Sequence, residues 1–447
     1  MESVTFPPGP SQRFPGILVL KFMRDPIGML TRVTQSYGDI AHLRFGRYHV
    51  FVINHPDYVK DVLATHHRNF VKTRGLVKIA TRFLGEGILT TDGEYHDRQK
   101  RLMAPAFYHQ NIVSYGRVMG DYAERAASRW RSGEILEIHE QMMRLTLAIV
   151  AKALFDADVE SEAGEIIEAV TTATEHFSRI NNPFTSLLEW LPLPSNRRFH
   201  QAKETIDSTV YRIIAQHRAS GERGDLLSML LRTHDVGGEM TDLQVHNEAL
   251  ALLMAGHATT STALTWTWYL LSQSPESELR LHKELDEVLG GRLPTVEDIP
   301  KLRYTRMVFS ETLRLYPPGW MMGRESVDDC TIGNYFIPGG SALFMSQYVM
   351  HRNPRFFPNP ESFDPSRWSD GLESRLPRFA YFPFGGGSTS CLGEPFAWME
   401  AMLVMTTIAQ KWQMRLVPGH LVSPLPTVTL RPKYGIRMIV NRRETER

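Results

Sequence analysis

The sequence predicts a mainly α-helical protein with small β-sheets, an α+β chain read as one domain over residues 1–447. Three observations carry this reading. Thr241-Asp242-Leu243-Gln244 is a capping-box pattern. It opens a helix lasting to about Gln273, roughly 32 residues and about 48 Å long. The middle of that run, Ala249 to Ala255, is apolar all round, as in a helix that crosses a protein interior. Strand-like runs are short, and lie near the N-terminus and again beyond Pro317.

The elements follow in order. Ile40–Phe45 and His49–Ile53 read as paired strands around Gly46-Arg47. Pro56 to Ala64 begins a helix with Asn54 or His55 near its cap, and Asp92-Gly93 opens another that runs to about Ala104, before Pro105. Helical stretches are predicted at 122–130, 141–155, 161–177 and 196–218, with Pro183, Pro192 and Pro194 breaking the chain between the last two. After the long helix, Ser274-Pro275 caps the next one. Beyond Pro317 come short strands with turns at Ile332-Gly333-Asn334 and Pro338-Gly339-Gly340. A Pro-rich coil from Asn353 to Pro377 follows, then a glycine loop, a helix from Glu394 to about Trp412, and hairpins from Met414 to Val440.

Bulk properties exclude several classes. A chain of 447 residues suggests about three domains by length alone. No Ser/Gly tract, charge block or repeat divides it, however. Fifty basic and 49 acidic residues nearly cancel, which argues against a nucleic-acid partner. Two cysteines cannot build a disulfide framework, so a reducing, cytoplasmic setting is expected. Ile17-Leu18-Val19-Leu20 is far shorter than the about 20 apolar residues a membrane span needs, and no membrane anchor is expected in this chain.

The densest chemistry lies in Phe384-Gly385-Gly386-Gly387-Ser388-Thr389-Ser390-Cys391-Leu392-Gly393. A cysteine here meets bare backbone N–H groups and the positive end of the following helix, which favour its thiolate. Glycines let a flat group approach the backbone. The loop is therefore suited to place sulfur against a large planar cofactor. A phosphate cradle of the Walker type would need Gly-Lys-Ser/Thr, which is absent. Two further patterns stand out. Glu311-Thr312-Leu313-Arg314 puts both charges on one helix face. Ala255-Gly256-His257-Ala258-Thr259-Thr260, in mid-helix, combines small residues with a hydroxyl able to bond the carbonyl of Ala255. A surface ion pair and ordinary helix packing are the plainer readings of these two.

Taken in order, these motifs resemble those of the cytochromes P450, from the Pro-rich start to Leu430-Arg431-Pro432. Phe384, Gly387, Cys391 and Gly393 match the haem loop, while Thr389 stands where the family has arginine. The resemblance implies the P450 fold and haem b (iron protoporphyrin IX), with Cys391 as axial ligand to the iron. It implies that Glu311, Arg314 and Arg367 (in Phe363-Asp364-Pro365-Ser366-Arg367-Trp368) form a structural triad beneath the haem. It makes Thr259, with Thr260 beside it, the proton guide in an oxygen groove; Ala258 replaces the family's acid, and solvent, Thr260 or His257 could substitute. His257 otherwise reads as a packed or exposed helix histidine. His96 and Lys100 fall on the family's propionate-binding helix, and Arg324 on a further propionate position. Lys pairs only as a point charge. Arg98, Lys100 and Arg101 border the family's docking face for electron donors.

Substrate contacts implied by the resemblance are Phe83, Leu84, Leu253, Ala255, Pro318, Trp320, Met321 and Val428. The implied activity is a monooxygenase that inserts one atom of O2 into an apolar small molecule such as a fatty acid, terpenoid or steroid. Its electrons come from a separate ferredoxin or flavodoxin with its reductase. Two alternatives stay open: a haem-thiolate enzyme that uses peroxide or acts as an isomerase or dehydratase, and a non-catalytic haem carrier or sensor.

Overall fold

A computed structural model describes residues 5–10, 16–178, 193–221, 225–237 and 240–443. In chain order the elements begin with helices α1 (Gly16–Arg24) and α2 (Pro26–Tyr37), strands β1 (Ile40–Phe45) and β2 (Tyr48–Ile53), and α3 (Pro56–Lys60). Then come β3 (Phe70–Lys72), α4 (Arg74–Leu84), α5 (Gly93–Met103), α6 (His109–Ser128), β4 (Glu134–Glu137), α7 (Ile138–Phe155) and α8 (Ala163–Ser178). The next helices are α9 (Pro194–Ser220), α10 (Leu226–Gly237), α11 (Asp242–Gln273), α12 (Pro275–Leu289) and α13 (Arg303–Leu315). Strands β5 (Met322–Ser326), β6 (Cys330–Ile332), β7 (Tyr335–Ile337) and β8 (Ala342–Met345) precede α14 (Gln347–Met350), α15 (Leu372–Arg375) and α16 (Glu394–Ala409). The chain closes with β9 (Trp412–Leu416), β10 (Pro424–Pro426), β11 (Leu430–Pro432) and β12 (Arg437–Arg442).

The long helix is as expected. Thr241 Oγ1 accepts from Gln244 N at 3.2 Å while the Gln244 side chain accepts from Thr241 N at 2.7 Å, a complete capping box. Its interior is buried, and with α6, α7 and α16 it builds the main apolar core. A five-stranded sheet in the order β1-β2-β8-β5-β3 holds the second and third cores, one on each face. The strands pair antiparallel except β2 with β8. The tail supplies β12 between β4 and β9, and the β10-β11 hairpin.

Differences are local. Pro194 does not break the chain; it occupies the first turn of α9, where its missing N–H costs nothing. Pro183 and Pro192 lie outside the described residues. The helix expected from Pro56 changes at Asp61 into a π turn ending at Thr65. Helix α6 begins 13 residues before Tyr122, and α1, α2, α4 and α10 were not anticipated. Phe83 and Leu84, expected as substrate contacts, form the last turn of α4.

Candidate active site

Helix α11 and the glycine loop before α16 face each other across a cavity of ≈ 370 Å³. On α11, Leu252, Ala255, Gly256, Thr259, Thr260 and Ala263 line it. These follow the i, i+3, i+4, i+7 pattern of one helix face. Opposite stand Phe384, Cys391, Leu392, Gly393, Phe396 and Ala397. Cys391 is exposed, but to this cavity rather than to the outside. Its N–H donates to Phe384 O at 3.0 Å, closing the loop. Gly387 (φ +69°) is required by contact as well as by conformation, since a Cβ there would lie 1.7 Å from Leu63 O.

The N–H groups of Gly393 and Glu394 lower the Cys391 pKa, as expected of a helix start, and Lys100 lowers it too. Burial, the largest effect, pushes the free thiol the other way, and its ordinary value is exceeded. A cation coordinated by this sulfur would favour its thiolate.

Thr259 Oγ1 donates to Ala255 O at 2.8 Å, the back-bond its spacing suggested. A methyl on Gly256 would sit 2.8 Å from Val150 Cγ2, so the glycine also admits close packing of α11 on α7. His257 is fully buried, with Nδ1 2.8 Å from Leu253 O, and burial lowers its pKa. It is a packed helix histidine and does not line the cavity. Behind Thr260 lies Glu400 of α16, wholly buried. Burial raises its pKa well above the carboxylate range; Thr260 offsets this slightly, though neither carboxyl oxygen reaches hydrogen-bond geometry.

Cations gather at one end. Lys72, His96 and Lys100 line the cavity. Arg324 is 6% exposed and donates to Thr389 Oγ1 at 2.6 Å and Gly323 O at 2.8 Å. The threonine that replaces the family's arginine is thus an acceptor for the neighbouring one. Lys100 Nζ donates to Ser388 O (2.8 Å), Ser390 O (3.2 Å) and Ser390 Oγ (3.2 Å). It faces the cysteine loop, not the outer surface, whereas Arg101 is exposed and Arg98 lies over the Tyr95 ring. Burial lowers the pKa of His96, Lys100 and Arg324 alike.

The charged cluster around Glu311 is buried. Glu311 and Arg314 are 0% exposed and joined by two 2.9 Å bonds. Arg367 Nε donates to Glu311 Oε1 at 2.9 Å. Arg314 also donates to the carbonyls of His351, Pro360 and Ser362, stitching the Pro-rich coil to α13. Trp368 Nε1 and Asp364 N complete the shell around Glu311.

Of the expected substrate contacts, Ala255 and Pro318 line the cavity. The others do not. Leu253 is 2% exposed in the main core, one residue out of phase with the cavity face. Phe83 is buried, its ring 6.0 Å from Phe199, and Leu84 packs on the same core. Trp320 and Met321 belong to the core at the N-terminal sheet, with Trp320 Nε1 donating to Thr427 O at 2.9 Å. Val428 is 65% exposed within the β10-β11 turn. Sequence reasoning missed Lys72, Ile88, Leu89, Phe107, Leu154, Leu252, Met322 and Gln347, which line the wall. Only Leu252 had a usable signal, its helical phase with Thr259.

The family description Cytochrome P450 matches residues 7–439. The chain belongs to the cytochrome P450 family. Among similar proteins is cyclooctatin synthase of Streptomyces melanosporofaciens, 39% identical, with 92% of this chain and 90% of the relative covered. Cyclooctat-9-en-7-ol 5-monooxygenase of the same organism is 36% identical (89% and 86% covered), and pentalenene oxygenase of Streptomyces avermitilis 30% (94% and 93%). This P450 is a monooxygenase whose cofactor is haem b, and it uses O2, a hydrophobic substrate and a redox partner. No helix among the described residues is long and apolar enough to cross a membrane.

The residues fit haem. The donor set offers one sulfur open to the cavity between apolar walls. Arg324 is a buried guanidinium that, among the described residues, bonds neutral oxygens alone, which suits a carboxylate of the cofactor. Cys391 would hold the iron, and Arg324, His96 and Lys100 the propionates.

Proposed function

We propose that this P450 oxidises a terpenoid-like, apolar cyclic substrate by inserting one oxygen atom from O2, with electrons from a separate ferredoxin or flavodoxin system. The observation that carries this reading is the Thr259 hydroxyl, set on the small-residue face of α11 across an apolar cavity from Cys391. The names of the three Streptomyces relatives support the substrate class. Unpaired Cys330 and Cys391 support a cytoplasmic setting.

Bound haem supplies the oxygen-activating chemistry, and the thiolate's electron donation favours O–O cleavage. The chain's own residues do the rest. Ile88, Leu89, Leu154, Leu252 and Phe107 exclude water and orient an apolar molecule. Thr259 Oγ1 sits at the cavity face of α11; its own proton bonds Ala255 O, so it offers acceptor lone pairs to the cavity and passes a proton on by exchanging that bond. With Ala258 carrying no carboxylate, that hydroxyl is the proton guide. The Glu311–Arg314–Arg367 cluster keeps the loop rigid while Cys391 is loaded.

The test is a screen of cyclic terpenes, linear fatty acids and steroids by shift of the haem absorption band. Turnover of the binders follows, with surrogate ferredoxin and reductase or with peroxide. Cyclic terpenes should shift the band and turn over with ferredoxin. Turnover with peroxide alone would establish the peroxide-using alternative, and binding without any turnover the carrier.

A further inference from the structure

Residues 85–92 form a wall of the cavity through Ile88 and Leu89. They are held by polar groups. Ile88 N donates to both oxygens of Glu248 on α11, at 3.0 and 3.1 Å. Ile88 O accepts from Lys72 Nζ at 2.7 Å, and Thr91 O from the same ammonium at 2.6 Å. Ile88 is thus gripped at its N–H by a fully buried carboxylate and at its carbonyl by a lysine. Asn247 Nδ2 adds a bond to Glu86 O at 3.1 Å, and Asp92 accepts from Lys72 N at 2.9 Å.

The corner holds two cations, Lys72 and Arg324, and two carboxylates, Asp92 and Glu248. Lys72 on β3 is the direct cross-strand partner of Arg324 on β5. Like charges directly opposite on a sheet repel. Neither cation makes an ion pair with a carboxylate among the described residues: Asp92 and Glu248 accept from the backbone N–H groups of Lys72 and Ile88 instead. Burial is the main cause that lowers the Lys72 pKa to about 8, with Asp92 and Glu248 opposing it and Arg324 adding to it; burial likewise raises that of Glu248 to about 7. An ammonium has three donors. Two are taken by carbonyls, and Lys72 faces the cavity. An anion between Lys72 and Arg324 would relieve the repulsion and use the third donor.

We propose that Lys72 is a further propionate-binding residue and that its ammonium, shared between haem and the carbonyls of Ile88 and Thr91, makes haem fix the substrate-facing wall. The inference rests on haem occupying this cavity. Binding at one side of the shared ammonium supports binding at the other, so the coupling acts in both directions. The conformation of Ile88 and Leu89, and with it the shape offered to substrate, then depends on the haem carboxylates.

The experiment uses loaded protein carrying either haem b or its dimethyl ester, which keeps the iron and ring but removes both carboxylate charges. Loading is checked by the thiolate–CO band, so a failure to hold haem at all is seen separately. Amide hydrogen exchange over residues 85–92 and haem transfer to excess apomyoglobin are measured for parent, Lys72→Met and Lys72→Arg. In the parent, the ester should speed exchange in this segment about tenfold. In Lys72→Met, exchange should already be fast with haem b and the ester should add nothing, while haem transfer rises about tenfold. Lys72→Arg should stay close to the parent. Exchange that ignores the ester in the parent overturns the coupling, and this arm decides alone if Lys72→Met loads no haem. An ester effect of equal size in Lys72→Met overturns the assignment to Lys72.

Discussion

Thr389 offers a neutral hydroxyl where a cation was expected, and Arg324, 65 residues away, donates to it. The replacement was legible in the sequence; its consequence was not, because the contact joins two strands of chain through tertiary packing. The same holds for Lys72, which reads as an ordinary strand-end lysine until β3 is placed beside β5. Glu400 had a signal that went unused: a lone acid within the otherwise apolar run of α16. Its burial raises its pKa well above the ordinary 4.5, so the folded state holds a proton that the unfolded chain releases. Stability must then fall as pH rises through and above the ordinary carboxylate range, by at most about 1.4 kcal/mol per pH unit. Glu400→Gln removes this dependence. Its stability relative to the parent should grow as pH rises above the ordinary carboxylate range. Urea midpoints of both proteins across that range check it, and a constant difference would show that Glu400 ionises as freely folded as unfolded.

Among elements, the long helix was readable to the residue because its start carries a complete capping box. Helix α6 was not. Its first turns hold Gly116 and Gly120, and a Cβ at Gly116 would meet Val296 Cγ2 at 2.2 Å. Close packing there replaces the large apolar periodicity that a sequence reader needs. Helix α4 lacked a cap signal of use, since Thr73 makes no side-chain cap bond. The cavity face of α11 could have been read from the phase of Thr259, and choosing Leu253 over Leu252 was an error of one residue, or about 100° around the helix. Helix α13 owes its place to Arg314, whose five hydrogen bonds reach Glu311 and three coil carbonyls. Arg314→Ala leaves Glu311 charged and buried, and loss of one partner in such a cluster costs about 3–5 kcal/mol. That is a large share of the 5–15 kcal/mol typical of a folded domain. Soluble, haem-loaded yield should collapse, and Arg314→Lys should recover little because one ammonium cannot span those acceptors. A parent-like yield from Arg314→Ala would show that the cluster bears no weight in folding.

At the scale of the molecule, the main helical core and the sheet cores meet around one cavity, and the cysteine loop is the piece both sides hold. Gly387 rests on the carbonyl of Leu63, Lys100 bonds the carbonyls of Ser388 and Ser390, and Cys391 N closes on Phe384 O. None of these contacts uses the sulfur. The sulfur meets only the N–H groups of Gly393 and Glu394 among the contacts described, which a serine oxygen can also accept, so ligation and folding should separate. In Cys391→Ser the fold should persist, with parent-like far-ultraviolet circular dichroism and soluble yield, while the red-shifted band of the reduced carbon monoxide complex disappears. Cys330, half-buried on β6 and outside the cavity, should matter little, so Cys330→Ser should keep that band at parental intensity. The pair of spectra, read beside the yield of Arg314→Ala, distinguishes two kinds of failure: a folded protein with no sulfur for the iron, and a chain whose buried charges no longer let the loop form. A thiolate band that survives Cys391→Ser would move the ligand elsewhere and undo the site described above.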